Sequence, residues 1–257
     1  MRSFDRRPTL SRTDAVSVYD GFAATGHAGG KDASSGYGGP AIRALLSLAS
    51  FSDPDACHTV MDYGCGQGKL AELVLRDPAS AQSNPDMKWR CIDQSPAMIE
   101  KARERLRPFG EDRSSVEWLE SGEPGDVRAE DGSVDRFVST YCLDLLSESD
   151  MYGVLDLAER VLRPESGQII LAGITWGYRD SLRTFLMTSV WEFLYVFFRR
   201  KVGGCRPQEL CPYLKERGWT IIKSVRTLPE SFPWMVSEVV AARPPQRSGI
   251  PSNPPIR

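Results

Sequence analysis

The sequence predicts an α/β fold, a mostly parallel sheet with helices on both faces. Three observations support this prediction. Short apolar runs alternate with segments of helical periodicity from residue 59 to residue 174. A glycine-rich turn joins the first strand of this series to its helix. The length of 257 residues, with 41% hydrophobic and 26% charged residues, fits one sizeable α/β domain.

Composition excludes several kinds of protein. A net charge of -2 gives no electrostatic reason to expect a nucleic-acid partner. The six cysteines form no C-x-x-C pair and there are only two histidines, so no metal site is expected. No stretch reaches the roughly 18 apolar residues of a membrane span. We expect a soluble, cytoplasmic protein, although the basic N-terminus leaves a transit peptide open.

The N-terminal region is expected to lead into a mobile loop. Residues 1–12 are polar and predicted to be disordered, and Asp14–Ala24 is predicted to form a short helix with Val16 and Tyr19 on one side. The glycine-rich segment 21–39 suits a loop that orders over a ligand, and a plain linker is the alternative. Tyr37 is its one large side chain and the candidate to cover a cofactor. A helix Pro40–Phe51 should follow.

The glycine-rich turn lies in the stretch Thr59–Leu70. Val60 and Met61 suit a buried strand, and a helix Lys69–Arg76 is predicted to follow the turn. Glycine accepts positive φ and lets a ligand approach the bare backbone. Three glycines occupy alternate positions between the strand and the helix: Gly64, Gly66 and Gly68. The stretch therefore predicts a ligand-binding turn, and a turn without a ligand is the alternative.

Two ligand classes use such a turn. Dinucleotide sites have Gly-x-Gly-x-x-Gly, but Lys69 occupies the position of the third glycine here. Asp62, two residues before the first glycine, would repel a phosphate and suits a ligand with an ammonium group. The stretch resembles motif I of the class I S-adenosylmethionine-dependent methyltransferases. That resemblance implies S-adenosylmethionine as the cofactor and the following contacts to it: Asp62, Gly64, Cys65, Gly66 and Gly68.

The resemblance continues through the second strand and its helix. After a predicted loop at 77–86, strand Lys88–Ile92 ends at Asp93, which matches the family's ribose-binding acid. A charge at the start of the next helix is the alternative role for this acid. Helix Pro96–Arg107 follows. In the family the residues after the acid pack on the adenine, which implies Gln94 and Met98 here.

The third to fifth strands complete the pattern of the family. Strand Val116–Leu119 precedes two acids, Glu120 and Glu123, and Glu123 is the candidate for the contact to the adenine amino group. Strand Arg136–Tyr141 contains Ser139, a further cofactor-binding candidate. A helix Ser149–Leu162 and a Leu-Arg-Pro…Gly step then lead to the fifth strand, Gln168–Ile174.

A long helix, Leu182–Arg200, is predicted after the fifth strand and forms part of a candidate lid at about 180–201. It has one narrow polar stripe: Thr188, Glu192, Tyr195 and Arg199. The rest of its surface is apolar and aromatic. This surface could be core, could rest weakly on a membrane surface together with the basic residues 199–201, or could roof an apolar substrate pocket. We expect the roof.

The C-terminal part is predicted to finish the sheet. Helix Arg206–Arg217 leads to strands Trp219–Thr227 and Val236–Arg243, which look like the pair that ends the methyltransferase sheet. The resemblance covers about residues 37–243. It implies a Rossmann-like seven-stranded sheet with an antiparallel last strand, in a domain spanning 13–243, before a disordered proline-rich tail at 244–257.

The family chemistry implies an activated methyl donor and an acceptor that is held close, aligned and dry. Asp144 and Tyr141 follow the fourth strand and are the candidates for catalysis, Asp144 as a base. A small apolar or aromatic acceptor is expected because large apolar residues fall at the same sheet edge: Trp176, Trp191, Phe232, Trp234 and Met235.

Three other functions remain open at this stage. A non-catalytic protein could keep the fold and act as a binding or regulatory partner. A nicotinamide oxidoreductase is opposed by Lys69. An arsenite-type methyltransferase would need Cys142, Cys205 and Cys211 to converge, and their spacing does not match clearly. The nucleophilic atom of the acceptor and the oligomeric state are not predicted.

Overall fold

The computed structural model describes residues 9–25, 38–176, 181–229 and 233–245. Its centre is a seven-stranded sheet in the order β3-β2-β1-β4-β5-β7-β6. β7 is antiparallel to its neighbours β5 and β6, and the other pairs are parallel. The strands are β1 Thr59–Tyr63, β2 Lys88–Asp93, β3 Ser114–Trp118, β4 Arg136–Thr140, β5 Gln168–Ile174, β6 Thr220–Thr227 and β7 Ser237–Arg243. The predicted fold class is confirmed.

Eight α-helices occur in the described part of the chain. They are α1 Arg12–Thr25, α2 Gly38–Ala49, α3 Lys69–Arg76, α4 Pro78–Ser83, α5 Pro96–Leu106, α6 Glu148–Val161, α7 Leu182–Phe198 and α8 Leu210–Glu216. α4 lies where the sequence predicts a loop, so that prediction is wrong. Asp77 caps this helix by accepting a hydrogen bond from the Ser80 backbone N–H at 2.9 Å, and Pro78 suits its first turn.

Two apolar cores cover the two faces of the sheet. Along β1, Val60 belongs to one core and Met61 to the other, because successive side chains of a strand point to opposite faces. α2, α3 and α5 contribute to the first core, and α6 and α8 to the second. Helices therefore pack on both faces of the sheet, as the sequence predicts.

The chain order of the strands reverses at β1, which pairs with β2 on one side and with β4 on the other. In an open α/β sheet, ligands bind outside the carboxyl ends of the strands at such a switch point. The turns after β1, β2 and β4 meet at this edge, and a cleft opens there.

Some predicted features lie outside the described residues. They are residues 1–8 of the N-terminal segment, residues 26–37 of the predicted loop 21–39 including Tyr37, Phe232, and most of the tail from residue 246. The described ends of that loop, 21–25 and 38–39, belong to α1 and α2, so the loop bounds were predicted too wide. Among the described residues no helix is long and apolar enough to cross a membrane.

Candidate active site

The turn after β1 brings bare backbone to the cleft. Gly64, Gly66 and Gly68 have φ of 70°, 58° and 70°, in the left-handed region that favours glycine. A Cβ on Gly64 would collide with the side chain of Cys142, which follows β4. The Gly64 and Cys65 N–H groups both donate to the carbonyl oxygen of Ile92, at 2.8 and 3.0 Å. The turn is therefore fixed between β2 and the chain after β4.

Asp93, at the end of β2, holds this turn. Its Oδ2 accepts from the Gly66 N–H at 2.7 Å, and its Oδ1 accepts from the Ser95 N–H at 2.9 Å. The residue is half-buried and lines the cleft. A carboxylate has about four lone-pair sites, so Asp93 retains capacity for two further donors, such as the hydroxyls of a ribose.

A first half of the cleft surrounds this carboxylate, and we name it the cofactor half. Ser95 caps α5 by accepting from the Met98 N–H at 3.1 Å, which places Met98 at the cleft wall. Gln94 lines the same wall, and its carbonyl accepts from the Trp118 Nε1–H at 3.0 Å. The residues of the cofactor half are Gly64, Cys65, Gly66, Asp93, Gln94, Ser95, Met98, Leu119, Gly122 and Pro124.

Glu123 lies beside the cofactor half, with its carboxylate engaged by Arg12. The two side chains form an ion pair, and Arg12 also pairs with Asp150 at 2.5 Å. These contacts raise the pKa of the Arg12 guanidinium above its ordinary value, the Glu123 hydrogen bond first among them. The Glu123 side chain is 53% exposed, and the cleft wall is formed by its neighbours Gly122 and Pro124.

Helix α1 covers the cleft, a role that the sequence reasoning missed. Arg12, Val16 and Tyr19 fall at i, i+4 and i+7 and all line the cleft. Asp20 fixes the helix by accepting from the Ser95 Oγ–H at 2.6 Å. The spacing in the sequence predicted one face for this helix, but only the packed structure shows what that face covers.

The second half of the cleft is mainly apolar and aromatic, and we name it the acceptor half. Trp191 of α7 donates its Nε1–H to the Cys205 carbonyl at 3.0 Å. The Tyr19 hydroxyl lies 3.8 Å from Cys205 Sγ, and burial raises the pKa of Tyr19 well above its ordinary value. The residues of the acceptor half are Tyr19, Phe22, Tyr141, Cys142, Leu145, Leu146, Trp191, Lys201, Val202, Gly203 and Cys205.

The two predicted catalytic residues differ in their access to the cleft, because Tyr141 lines the acceptor half and Asp144 does not. Tyr141 lines the cleft with φ of 51°, and its hydroxyl is 2.8 Å from Ser237 Oγ. Burial raises the pKa of Tyr141 above its ordinary range. Asp144 is 1% exposed in a short turn of 3₁₀ helix behind the wall. The pKa values of Tyr19 and Tyr141 are raised mainly by burial, and the charge of Asp144 is a smaller cause that acts in the same direction.

The remaining predicted site residues lie away from the cleft wall. Gly68 is one of them, and the space beside its Cα faces Ala102 and Leu106 of α5. Asp62 is buried within β1, and Ser139 is buried in β4, where its Oγ–H donates to the Tyr63 carbonyl at 2.9 Å. Met235 is fully buried in the first core just before β7. Trp176 is half-buried after β5, and the Trp234 ring lies 5.5 Å from the Arg183 guanidinium. Of the predicted acceptor residues that are described, Trp191 is the one on the cleft.

Helix α7 is oriented with its polar residues inward. Thr184, Thr188 and Tyr195 are its buried residues. Most of its large apolar side chains are exposed, with Trp191 half-buried at the cleft. The aromatic surface that was expected to roof the pocket therefore faces outward.

Thiols line the cleft without forming a metal site. Cys65, Cys142 and Cys205 are at its wall. In the described ranges, however, no group of three His, Cys, Asp or Glu residues could hold a metal ion. The pKa of the Cys65 thiol is raised by its hydrogen bond with Cys91 and by burial.

Comparisons with known proteins agree with this architecture. Residues 60–165, from β1 to the step before β5, match the family model described as "Methyltransferase domain". No curated protein matches the sequence. The match contains the glycine turn, Asp93 and both candidate catalytic residues.

Several solved structures share the fold over most of the chain. The N-methyltransferase NodS from Bradyrhizobium japonicum WM9, in complex with S-adenosyl-L-homocysteine, is 16% identical with a TM-score of 0.64, covering 90% of this chain and 99% of that one. Magnesium protoporphyrin IX methyltransferase from Synechocystis PCC 6803 is 14% identical with a TM-score of 0.60, and the coverage is again 90% and 99%. A geranyl diphosphate methyltransferase bound to its substrate and sinefungin is 18% identical with a TM-score of 0.53, covering 79% and 77%.

Proposed function

We propose that this protein, an S-adenosylmethionine-dependent methyltransferase with the class I fold, methylates a small apolar or aromatic acceptor. The observation that carries the proposal is the wall of the acceptor half. Tyr19, Phe22 and Trp191 place aromatic surface beside the glycine turn, and Leu145, Leu146 and Val202 complete the wall. An apolar wall with few polar groups selects an acceptor of the same character.

The cofactor half fits S-adenosylmethionine. Asp93 would accept the ribose hydroxyls, and Gln94 and Met98 would pack on the adenine. The turn at Gly64–Gly66 would receive the amino-acid part, because its glycines present backbone without side chains at the cleft wall. When bound, the cofactor supplies a methyl group already activated on a positively charged sulfur.

The chain's own residues would position the acceptor and exclude water. α1 closes the cleft from above through the Arg12 pairs and the Asp20–Ser95 hydrogen bond. A closed apolar chamber keeps the acceptor close to the donor, which can remove a large part of the entropic barrier. The lid is thus formed by α1 together with Trp191.

Proton handling would fall to the residues behind the acceptor half. The phenols of Tyr19 and Tyr141 stay protonated at neutral pH, and burial raises the pKa of each further. Their hydroxyls lie beside Cys205 Sγ and Ser237 Oγ, so a hydrogen bond donated to the acceptor would replace one of these contacts. Asp144, whose charge acts on both hydroxyls, is the candidate base for an acceptor that must lose a proton during transfer.

The test is a transfer assay with the full chain and methyl-labelled S-adenosylmethionine. Phenols, thiols, amines and quinols with apolar bodies are compared with charged analogues of each. We expect label in one or more apolar acceptors, and a strong loss of transfer at limiting cofactor in Asp93→Asn. Glu117→Gln is the matched control, because it removes an acid paired with Arg90 away from the cleft.

Two outcomes would contradict the proposal. Transfer confined to charged acceptors would overturn the apolar chamber. Binding of S-adenosylhomocysteine with no transfer to any acceptor would favour the non-catalytic alternative, a protein that keeps the cofactor site and serves as a partner for another molecule.

A further inference from the structure

Helix α7 presents an apolar surface to solvent. At 100° per residue the exposed large side chains of α7, apart from Phe198 at its end, fall on one stripe opposite the buried Thr184 and Tyr195. We name this stripe the outer face of α7. It contains Leu182, Phe185, Leu186, Phe193, Val196 and Phe197, whose exposed fractions range from 46% to 72%. Contiguous apolar surface of this kind marks an interaction site in a soluble protein.

Basic residues flank the outer face at both ends. Arg183 is exposed at the start of α7, and Arg200 and Lys201 are exposed just after its end. The single acid of α7, Glu192, is half-buried. The segment is therefore cationic, although the whole chain carries a net charge of -2.

We propose that the outer face of α7 rests on an anionic lipid surface. Its apolar stripe would enter the boundary between headgroups and acyl chains, and the terminal cations would meet lipid phosphates. Lys201 lies 5.1 Å from the Phe198 ring, so charge and aromatic surface are adjacent at one end. Arg200 pairs at 2.7 Å with Asp14, and both side chains are exposed enough for lipid phosphate to compete.

A second copy of the chain fits the outer face less well. A two-fold axis perpendicular to α7 would pair it with its copy in antiparallel fashion, which brings Arg183 of one chain to Arg200 and Lys201 of the other. A parallel arrangement also brings like charges together. An anionic surface neutralises both ends at once, so charge complementarity favours lipid.

The same helix connects this surface to the cleft. Trp191 lines the acceptor half from the other side of α7, and Lys201, Val202 and Gly203 continue from the basic end into the cleft wall. A lipid-dissolved acceptor would therefore have a short path into the chamber. The proposal itself does not rest on methyl transfer and is tested without it.

The test is co-sedimentation of the full chain with vesicles. Phosphatidylcholine vesicles are compared with vesicles that also contain phosphatidylglycerol. We expect binding to the anionic vesicles at least about tenfold tighter than to the neutral ones, and a loss of binding at high salt, which screens exposed charges. The double variant Phe193→Ser/Phe197→Ser should bind at least about tenfold more weakly, because the buried apolar area sets the affinity.

The matched control is Ile222→Ser/Leu228→Ser, which removes two exposed apolar side chains of the β6 region at 47% exposure each. It should bind like the wild type. All four substituted positions are exposed, so melting temperatures should stay close to that of the wild type and report intact folding.

Three results would overturn the proposal. The first is no binding to anionic vesicles. The second is binding that the Phe193→Ser/Phe197→Ser variant retains. The third is a wild-type dimer in light scattering that this variant converts to a monomer, which would assign the outer face to self-association.

Discussion

The two halves of the cleft are built in different ways. The cofactor half is mainly backbone: its turns follow β1 and β2 directly, and Asp93 ties one turn to the other through the Gly66 N–H. The acceptor half is mainly side chains from α1, from the turn after β4 and from α7 with its following turn. A backbone site tolerates few changes without losing its shape, whereas a side-chain wall can change its ligand while the sheet beneath stays intact.

The largest effect is expected for Gly64→Ala. The left-handed φ costs about 1–2 kcal/mol for alanine, and the clash with Cys142 adds about 1–3 kcal/mol of overpacking. We expect a clear loss of thermal stability and at least about tenfold weaker binding of S-adenosylhomocysteine, measured by calorimetry.

Gly132→Ala is the matched control for this change. Gly132 has φ of 63°, an added Cβ there would meet its nearest atom, Pro164 Cδ, at an ordinary contact distance of 3.6 Å, and the residue is not in the lining of the cleft. It should lose some stability through φ alone and leave the affinity unchanged. If both variants behave alike, the close approach at Gly64 is not part of the site.

A smaller effect, confined to the acceptor, is expected for Trp191→Ala. The side chain lines the acceptor half and is half-buried, so its loss should raise the acceptor KM about tenfold and keep the Kd of S-adenosylhomocysteine within about twofold. Trp191→Phe removes the hydrogen bond to the Cys205 carbonyl but keeps an aromatic ring. Its acceptor KM should therefore lie between those of the wild type and Trp191→Ala.

If Trp191 instead acts as a core residue, Trp191→Ala should lose about 3–5 kcal/mol of stability. The affinities for the cofactor and for the acceptor should then fall together. Such a result would remove the distinction between the two halves at this position.

The next effect appears only at alkaline pH. The pKa of Tyr141 is raised by burial, so above about pH 10 the unfolded state releases a proton that the folded state keeps. The stabilising contribution is complete below about pH 10 and is lost as the pH rises further. Tyr141→Phe should reduce the fall in unfolding free energy by about 1.4 kcal/mol per pH unit.

Ser237→Ala is the control for the alkaline measurement. It removes the partner of the Tyr141 hydroxyl and keeps the phenol, so it should lower stability at all pH values without reducing the alkaline slope. Denaturant unfolding between neutral pH and pH 11 measures both variants. An unchanged slope in Tyr141→Phe would mean that this phenol ionises as it does in the unfolded chain.

The smallest effect is expected for Glu123→Gln. The carboxylate is paired with Arg12 and largely exposed, and such pairs are worth about 0.2–1 kcal/mol. The Kd of S-adenosylhomocysteine should therefore change less than about threefold in calorimetry. A tenfold loss would return Glu123 to the adenine contact that the family resemblance implies.

The sequence was most informative where the signals are local. The bounds of α3 and β5 were predicted to the residue, because their signals act within a few positions. A glycine turn precedes α3 and Pro78 follows it closely, and the apolar run of β5 begins just after Gly167. α4 could have been found from Asp77 and Pro78, an N-cap followed by a first-turn proline.

The acceptor half could not be predicted in the same way. The periodicity of α7 separates a polar stripe from an apolar one, but it does not say which stripe docks on the domain, and here the polar one does. The sequence predicted that Val16 and Tyr19 share one face of α1. The surface that this face covers depends on tertiary packing, which the local pattern does not specify. Met235 was expected near a ligand because it is large and apolar, and the same property accounts for its place in the core.

The most direct test of the account is the cofactor itself. S-adenosylhomocysteine at a hundredfold excess over its Kd should stabilise the protein by about 2.7 kcal/mol, which corresponds to a rise in Tm of about 5–10 °C. NAD at the same concentration should leave the Tm unchanged, because Lys69 replaces the third glycine of a dinucleotide turn. A rise with NAD and none with S-adenosylhomocysteine would contradict the account.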